Sequence, residues 1–559
     1  MKNQKNYPYN DVEPVSSIKN LLELAVKEAG DKPAFKYKDK DKNVITVTYR
    51  EFEEDTRYLG TALASFGVVS SHIAVIGKNS YKWILVYLTA LKSSGVFVPV
   101  DKELPMGDII NVLDNSDSEV LFYSKQFENI IPQLAEALPK IRYFIGFDRE
   151  VTEENRVSFK EFYEKGKTLY KNGDTSYSSL ENDISKLKMI VYTSGTTGMA
   201  KGVMLSEDNL VSMVYYGLRI STVYTRCLSV LPYHHTYEAV AGILVSMHHH
   251  ACICINEHMK AILKNLQIYK PDYIFIVPAF AELFYKKIIA NAKSTGKYKT
   301  LMTMIKISNA LRCAGIDLRR KMFKSIHAVF GGNMKKILSG GAPLRSELGE
   351  FFEAVGLDIT NGYGITECSP LISGNRDYFN DYTTAGVPVE CLEVKFEDVT
   401  PEGDGEICVK GKTVMMGYYK NEKQTKEVLK DGWFKTGDYG RMNEKGQIII
   451  TGRKKNIIVL ENGKNVYPEE IENYIMSISY VDEVVVRGIR GKSGAETGLS
   501  AEVFLNEEEV KKLGDTDILK KLKKDIADIC VPLPIYKHIS EVRICDKAFE
   551  KTTTNKIKR

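Results

Sequence analysis

The sequence predicts an α/β protein: a large N-terminal domain of several subdomains, with partly parallel sheets covered by helices, and a smaller α+β domain at the C-terminus. Three observations predict it. The chain has 559 residues, more than one hydrophobic core sustains, so about two to four folded units are expected. From His72 onward, strand-like and helix-like runs alternate (HIAVIGKNS, YKWILVYLTALKSSG, VFVPV), the rhythm of parallel strands joined by helical crossovers. Toward the C-terminus the rhythm shortens to a helix (Pro468 to Ile478), a strand (Val481 to Ile489) and a second helix (Thr516 to Cys530) with an outward lysine face.

Composition narrows the function classes. With 43% hydrophobic and 27% charged residues, the chain is an ordinary globular one. A net charge of +5 is small for this length; it argues against nucleic acid as a partner and leaves a weak attraction to anionic membrane surfaces open. Nine cysteines include no CxxC pair, and the nearest spacing is Cys252-x-Cys254 on an apolar run, as for reduced core thiols in the cytosol. The N-terminal MKNQKNYPYNDVEPVSS lacks the apolar core of a signal peptide, and no apolar run is long enough to span a bilayer. The expectation is a cytoplasmic protein, with contact at a membrane surface peripheral if made.

Taken in order, Ile18 to Ala29 has apolar residues at helical spacing, AFKYKDKDKNVITVTY alternates like paired strands around a charged turn, and Tyr49-Arg50-Glu51-Phe52 starts another helix. After the His72 unit, further strands are expected at Ser118 to Tyr123, Tyr143 to Phe147 and Lys188 to Tyr192. The stretch Met189 to Leu205 then carries the first chemistry. Met189-Ile190-Val191-Tyr192 and Gly202-Val203-Met204-Leu205 read as two strands, and the loop between them suits phosphate. Thr193, Ser194, Thr196 and Thr197 offer hydroxyls, Gly195 and Gly198 allow close backbone approach, and Lys201 adds positive charge. The spelling is not that of a G-x-x-x-x-G-K-[ST] loop, because Lys201 precedes Gly202 and no Ser or Thr follows. A Ser/Thr/Gly run is more often a linker, but a linker seldom lies between buried strands, and Ser206 follows as an N-cap for a helix beginning at Glu207.

The string YTSGTTGMAKGVMLS resembles the signature loop of the adenylate-forming superfamily, which includes acyl-CoA synthetases, firefly-type luciferases and the adenylation domains of peptide synthetases. The resemblance runs from about residue 17 to the end. It implies roles for later residues that composition alone does not give.

Leu231 to Glu238 (LPYHHTYE) holds adjacent histidines that by themselves could merely cap a turn; the resemblance puts His235 near the acyl carboxylate and α-phosphate. His248, His249 and His250 are expected on a strand, where consecutive side chains face opposite ways, so a surface or turn role is favoured over a metal site. Lys286 to Lys336 is a basic, mostly helical insertion. Its place before Leu338-Ser339-Gly340-Gly341-Ala342-Pro343 resembles the bacterial-type long-chain fatty acyl-CoA synthetase branch in particular. Gly340, Gly341, Ala342 and Pro343 would make the tight turn along which adenosine lies.

In Asn361-Gly362-Tyr363-Gly364-Ile365-Thr366-Glu367, a glycine-flanked aromatic can offer its face to a purine and a glutamate can coordinate Mg²⁺. The resemblance implies that Tyr363 stacks on adenine, Thr366 contacts the α-phosphate and Glu367 holds the metal, with Asn361, Gly362 and Gly364 lining the nucleotide. It assigns Asp438, otherwise an ordinary turn former after Gly437, to the ribose diol, with Arg453 beside the nucleotide.

By the same resemblance the domains are residues 1–451 and a mobile cap, 452–559. Their hinge lies at 453–455, with the backbone rotating at Lys455. In the closing segment Lys556 reaches the acyl carboxylate and α-phosphate; Asn555 stands where a glycine is usual, and Val459 where some relatives carry a lysine.

The implied reaction is ATP-dependent activation of a fatty acid to acyl-AMP, with Mg²⁺, followed by transfer to coenzyme A. The catalytic set is Lys201, His235, Thr366, Glu367 and Lys556. A ligase loading an acyl carrier protein is the alternative enzyme, and a non-catalytic nucleotide-binding protein the alternative of another class.

Overall fold

The computed structural model describes residues 6–193, 200–461, 464–491, 496–514, 517–551, 557 and 559. The chain falls into two compact units, Met1–Glu393 with Val409–Phe434 and Glu444–Gln447, and Val394–Cys408 with Lys435–Asn443 and Ile448–Arg559. The second unit thus draws in two earlier segments besides the chain from Ile448 onward.

The first unit starts with well-capped helices. Ser17 accepts the Asn20 N–H at the head of Ile18–Ala29, and Thr48 and Glu51 form a reciprocal capping box at the head of Tyr49–Ser65. Between them, Pro33–Lys38 and Val44–Thr48 pair antiparallel. His72–Ile76, Tyr81–Lys92 and Val96–Val100 form the expected strand–helix–strand unit, with His72 opposite Val96 in parallel register.

Two sheets organise this unit. The eight-stranded sheet runs Gly417–Tyr418, Lys201–Ser206, Leu187–Thr193, Val96–Val100, His72–Ile76, Ser118–Tyr123, Tyr143–Gly146, Arg156–Ser158. From Leu187–Thr193 to Arg156–Ser158 its neighbours are parallel. Alternate strand residues Ala74, Ile76, Val98, Val100, Leu121 and Ile190 bury into one core with the helix Met106–Asn115. The nine-stranded sheet has at its centre Asp358–Tyr363, Lys336–Ser339, Tyr273–Ile276, Arg226–Ser229 and Cys252–Ile255, all parallel. The basic insertion is helical, with Tyr298–Cys313, Arg319–Met322 and Lys324–Val329 following Pro278–Ser294.

The histidine triplet is not on a strand. His248 ends a helix, Val245–His248, that continues a π-helical stretch, Tyr237–Leu244; His249 and His250 make the turn before Cys252–Ile255. Residues 239–247 are apolar but for Ser246 and buried throughout, and a short run of that kind does not distinguish a buried helix from a buried strand.

In the second unit, Val481–Arg490 pairs antiparallel with Glu496–Leu505, which pairs parallel with Glu541–Cys545. Ile471, Ile475, Leu522 and Ile526 from the helices Pro468–Ile475 and Ile518–Cys530 pack with Val484, Leu499 and Val503. The first helix has its proline and two glutamates in the first turn, and ends at Ile475 rather than the expected Ile478, which is still buried. Tyr474 is 36% exposed, at the edge of the stripe that Ile471 and Ile475 centre. Asp517 caps Ile518–Cys530, and Lys520, Lys523 and Lys524 face outward. No helix among the described residues is long and apolar enough to cross a membrane.

Candidate functional site

The strands Leu187–Thr193 and Lys201–Ser206 are register partners out to Thr193 and Lys201, so the two ends of the Ser/Thr/Gly loop lie side by side. Ser194, Gly195, Thr196, Thr197 and Gly198 are outside the described residues. Ser206 heads the helix Glu207–Ile220 with a capping box to Asn209, which ties the second strand to its helix. Lys201 Nζ sits 5.2 Å from the centroid of the Tyr418 ring, and the Tyr418 hydroxyl donates to Glu367 Oε1 at 2.9 Å. The structure therefore brings two residues singled out from sequence into one constellation through a third. Tyr418 was not legible: a tyrosine after a glycine in GYYKN reads as ordinary strand core.

Glu367 is carried on the short turn Thr366–Cys368 just beyond the strand Asp358–Tyr363, and its carbonyl accepts the Met415 N–H at 2.8 Å. A carboxylate with one oxygen held by a phenol is the kind of oxygen donor Mg²⁺ takes from protein when phosphates supply the rest. Thr366 shares that turn. Gly364 allows the turn to close: a Cβ there would stand 1.6 Å from the Pro370 carbonyl oxygen. Tyr363 is mostly buried at the strand's end.

Beside it, Ser339 and Asn361 are register partners at the carboxyl ends of adjacent parallel strands. Ser339 Oγ and Asn361 Oδ1 are buried and have no hydrogen-bond partner among the described residues. Gly340, Gly341, Ala342 and Pro343 follow as an open bend rather than a hydrogen-bonded turn, with Gly341 at φ +80 and the rest of the bend exposed from Gly341 to Pro343. A Cβ on Gly340 would meet the Tyr237 ring at 3.1 Å. Unpaired polar atoms beside a glycine bend at the carboxyl ends of parallel strands fit a nucleoside, since open α/β sheets bind ligands at that end.

The histidine loop approaches from Arg226–Ser229 and is pinned by Asn79, whose Oδ1 accepts the Tyr233 N–H (3.2 Å) and whose Nδ2 donates to the Leu231 carbonyl (2.7 Å). The His234 and His235 rings are 4.1 Å apart, and His234 Nε2 is 3.5 Å from Asp101 Oδ1. Burial, with Lys102 nearby, pushes His234 down to about 3, so its imidazole is neutral at neutral pH. Four residues after His234, the buried Glu238 carboxyl accepts from Ser229 Oγ at 2.5 Å, and burial pushes it up to about 8.

In the second unit, Asp438 and Arg453 are opposite each other on paired strands, and Arg453 Nε bonds Asp438 Oδ1 at 2.8 Å. Lys455 lies in the turn Lys454–Asn456, whose Lys454 pairs with Glu406 at 2.6 Å and Asp398 at 3.1 Å. Val459 is exposed, and Lys464 pairs with Glu402 at 3.0 Å. Lys556 and Asn555 are outside the described residues; Lys551 and Ile557 on either side form an antiparallel bridge.

The AMP-binding enzyme family matches residues 22–419, and the AMP-binding enzyme C-terminal domain matches residues 455–559. The chain belongs to the AMP-binding enzyme family. Among curated members, it is 30% identical over 463 residues to the long-chain-fatty-acid–CoA ligase FadD15 of Mycobacterium bovis, covering 79% of this chain and 75% of that protein. It is 28% identical to the long-chain-fatty-acid–[acyl-carrier-protein] ligase AEE15 of Arabidopsis thaliana, covering 86% of this chain and 75% of that one. The fold of this AMP-binding enzyme is shared with the anthranilate CoA ligase AuaEII in complex with anthranoyl-AMP: TM-score 0.77, 18% identity, covering 98% of this chain and 96% of that one.

Proposed function

We propose that this AMP-binding enzyme activates a long-chain fatty acid with ATP to acyl-AMP and pyrophosphate, then transfers the acyl group to coenzyme A, releasing AMP. The observation that carries the reading is the joining of Lys201 and Glu367 through Tyr418, in the unit that also holds the unpaired Ser339 and Asn361. A carboxylate is a poor acyl donor because its oxygen leaves badly; linking it to AMP supplies a good leaving group. The substrate carboxylate attacks the α-phosphorus, the bond to the β-phosphate oxygen breaks, and pyrophosphate departs. The thiol then attacks the acyl carbonyl and AMP leaves. Mg²⁺ bound at Glu367 would neutralise phosphate charge.

The chain's own residues position the reactants and offset their charge. Lys201 and the hydroxyls of Thr193, Ser194, Thr196 and Thr197 hold phosphates; Thr366 and His235 meet the α-phosphate and acyl carboxylate. Tyr363 faces adenine along Gly340–Pro343, and Asp438, with Arg453, takes the ribose. Lys556 serves the first step from a C-terminal domain, 452–559, that turns at Lys455. A carrier protein as thiol acceptor is the second reading, favoured by the name of the Arabidopsis relative.

Peripheral contact with anionic membrane is part of the proposal. It is supported by the insertion, where Tyr298, Met302 and Ile307 are exposed among Lys293, Lys297, Lys299 and Lys306, and Asp317 is the sole acidic residue between Lys286 and Lys336.

The test is acid-dependent pyrophosphate release over a panel of acids, with CoA and a carrier protein as acceptors. Fatty acids longer than about ten carbons should be preferred, because each buried CH₂ contributes about 0.8 kcal/mol. Preference for acetate, aryl acids or amino acids refutes the substrate class.

A further inference from the structure

We infer that Tyr418 is a positioning residue for the adenylation step, its hydroxyl fixing the Glu367 carboxylate and its ring fixing the Lys201 ammonium so that both stay available to a metal–nucleotide instead of closing on each other. The inference rests on the proposed roles of Lys201 and Glu367. A lysine and a glutamate that come close together in partly buried surroundings attract strongly, because the effective dielectric there is well below that of water. Direct pairing would occupy the oxygens a cation needs and the ammonium that phosphate needs. One phenol touches both groups without adding charge: it donates to Oε1 at 2.9 Å, and its ring face lies 5.2 Å from Nζ.

Tyr418 is itself firmly held. It is 6% exposed, its N–H donates to Thr425 Oγ1 at 2.9 Å, and it is opposite Val203 in the strand that begins with Lys201. Met416 and Tyr419 donate to the Met204 and Gly202 carbonyls at 2.9 and 2.8 Å, while Met415 donates to the Glu367 carbonyl at 2.8 Å. Gly417, at φ +139, supplies a backbone form that side-chain-bearing residues seldom take, and a Cβ there would stand 2.7 Å from Thr425 Cγ2. The segment Met415–Tyr419 is therefore one frame fastened to both the Lys201 strand and the Glu367 turn. Backbone bonds dominate in it, joined by the side-chain bonds of Tyr418, of Thr425 and of Tyr419, whose hydroxyl donates to Asp117 Oδ2 at 2.8 Å.

The experiment compares the full-length parent with Tyr418→Phe, Tyr418→Leu and Glu367→Gln. Binding of Mn²⁺ with a non-hydrolysable ATP analogue is read by electron paramagnetic resonance. KM and kcat come from fatty-acid-dependent ATP–pyrophosphate exchange, and thioester formation is measured from preformed acyl-adenylate and CoA. Tyr418→Phe removes only the hydroxyl; it should weaken metal–nucleotide binding about three- to tenfold, the scale of losing one ordinary hydrogen bond, and raise KM accordingly. Tyr418→Leu also removes the ring face and should lower exchange kcat by a further tenfold or so, with thioester formation from preformed adenylate unchanged. Tyr418→Phe keeps the buried ring, so the inference stays testable if the leucine variant does not fold. Parental metal binding and KM in Tyr418→Phe, beside a clear defect in Glu367→Gln, overturn this inference and leave the proposed function standing. Unchanged metal binding in Glu367→Gln counts against the site reading and removes the basis of the inference with it.

Discussion

Glu238 shows what one buried side chain does to stability. Its carboxyl accepts from Ser229, and burial raises its pKa from the ordinary 4.5 to about 8. Between those values the unfolded chain has released the proton and the folded chain has kept it, so stability falls as pH rises from about 4.5 to about 8 and the deficit then stays constant. Glu238→Gln keeps the shape and the acceptor for Ser229 but cannot ionise. Denaturant unfolding should show the variant at least about 1 kcal/mol more stable than the parent at pH 8.5, with the advantage shrinking toward pH 4.5. An equal gap at both pH values refutes the assignment. Glu367 belongs to the same scale. If it holds the metal, Glu367→Gln should shift the magnesium requirement upward and reduce exchange kcat about 100-fold while the melting temperature stays within a few degrees. An unchanged magnesium titration refutes that role.

The turn Thr366–Cys368 shows how an element is set by a neighbour with no side chain. Gly364 lets the Pro370 carbonyl approach to where a Cβ would be, so Gly364→Ala must push the turn away from the strand Asp358–Tyr363. Overpacking of this kind costs about 1 to 3 kcal/mol, and the displaced Glu367 should make the loss of exchange activity larger than the loss of stability alone accounts for. Parental kinetics in a folded Gly364→Ala protein would show that the turn is free to move. The sequence already pointed to this turn, because Gly-Tyr-Gly before Thr-Glu is a legible motif; so was the cap at Ser206, which depends on a residue three positions away. Contacts made across long sequence separation were not legible. Tyr418 meets Glu367 and Lys201 only because Gly417–Tyr418 adds to the edge of the strand Lys201–Ser206, and nothing near Tyr418 in the chain signals that pairing. The His248 helix was missed for another reason: a segment buried on all sides loses the periodicity by which helices are recognised.

At the scale of the whole molecule, the second unit assembles from three stretches of chain, Val394–Cys408, Lys435–Asn443 and Ile448–Arg559. Local composition offers no boundary signal for such an arrangement, since the pieces join through strand pairing such as Asp438 opposite Arg453. The proposed hinge at Lys455 follows that pairing directly, which makes a functional test sharper than a structural one. If the C-terminal domain serves two steps from two orientations, a charge-assisted contact from Lys556 exists only while the adenylate forms, and its removal should affect that step selectively. Lys556→Ala should slow fatty-acid-dependent exchange by about 100-fold or more, the scale of losing one group that stabilises charge in the transition state. Given preformed acyl-adenylate and CoA, the same variant should make thioester at nearly the parental rate. Lys455→Pro, which fixes φ and removes an N–H at the proposed pivot, should show the reverse pattern if it holds the adenylating orientation. Rapid-quench measurement of each half-reaction separates the cases: equal loss of both steps in a folded Lys556→Ala protein would mean that the lysine supports the site in one fixed arrangement, and alternation about Lys455 would be abandoned for this enzyme.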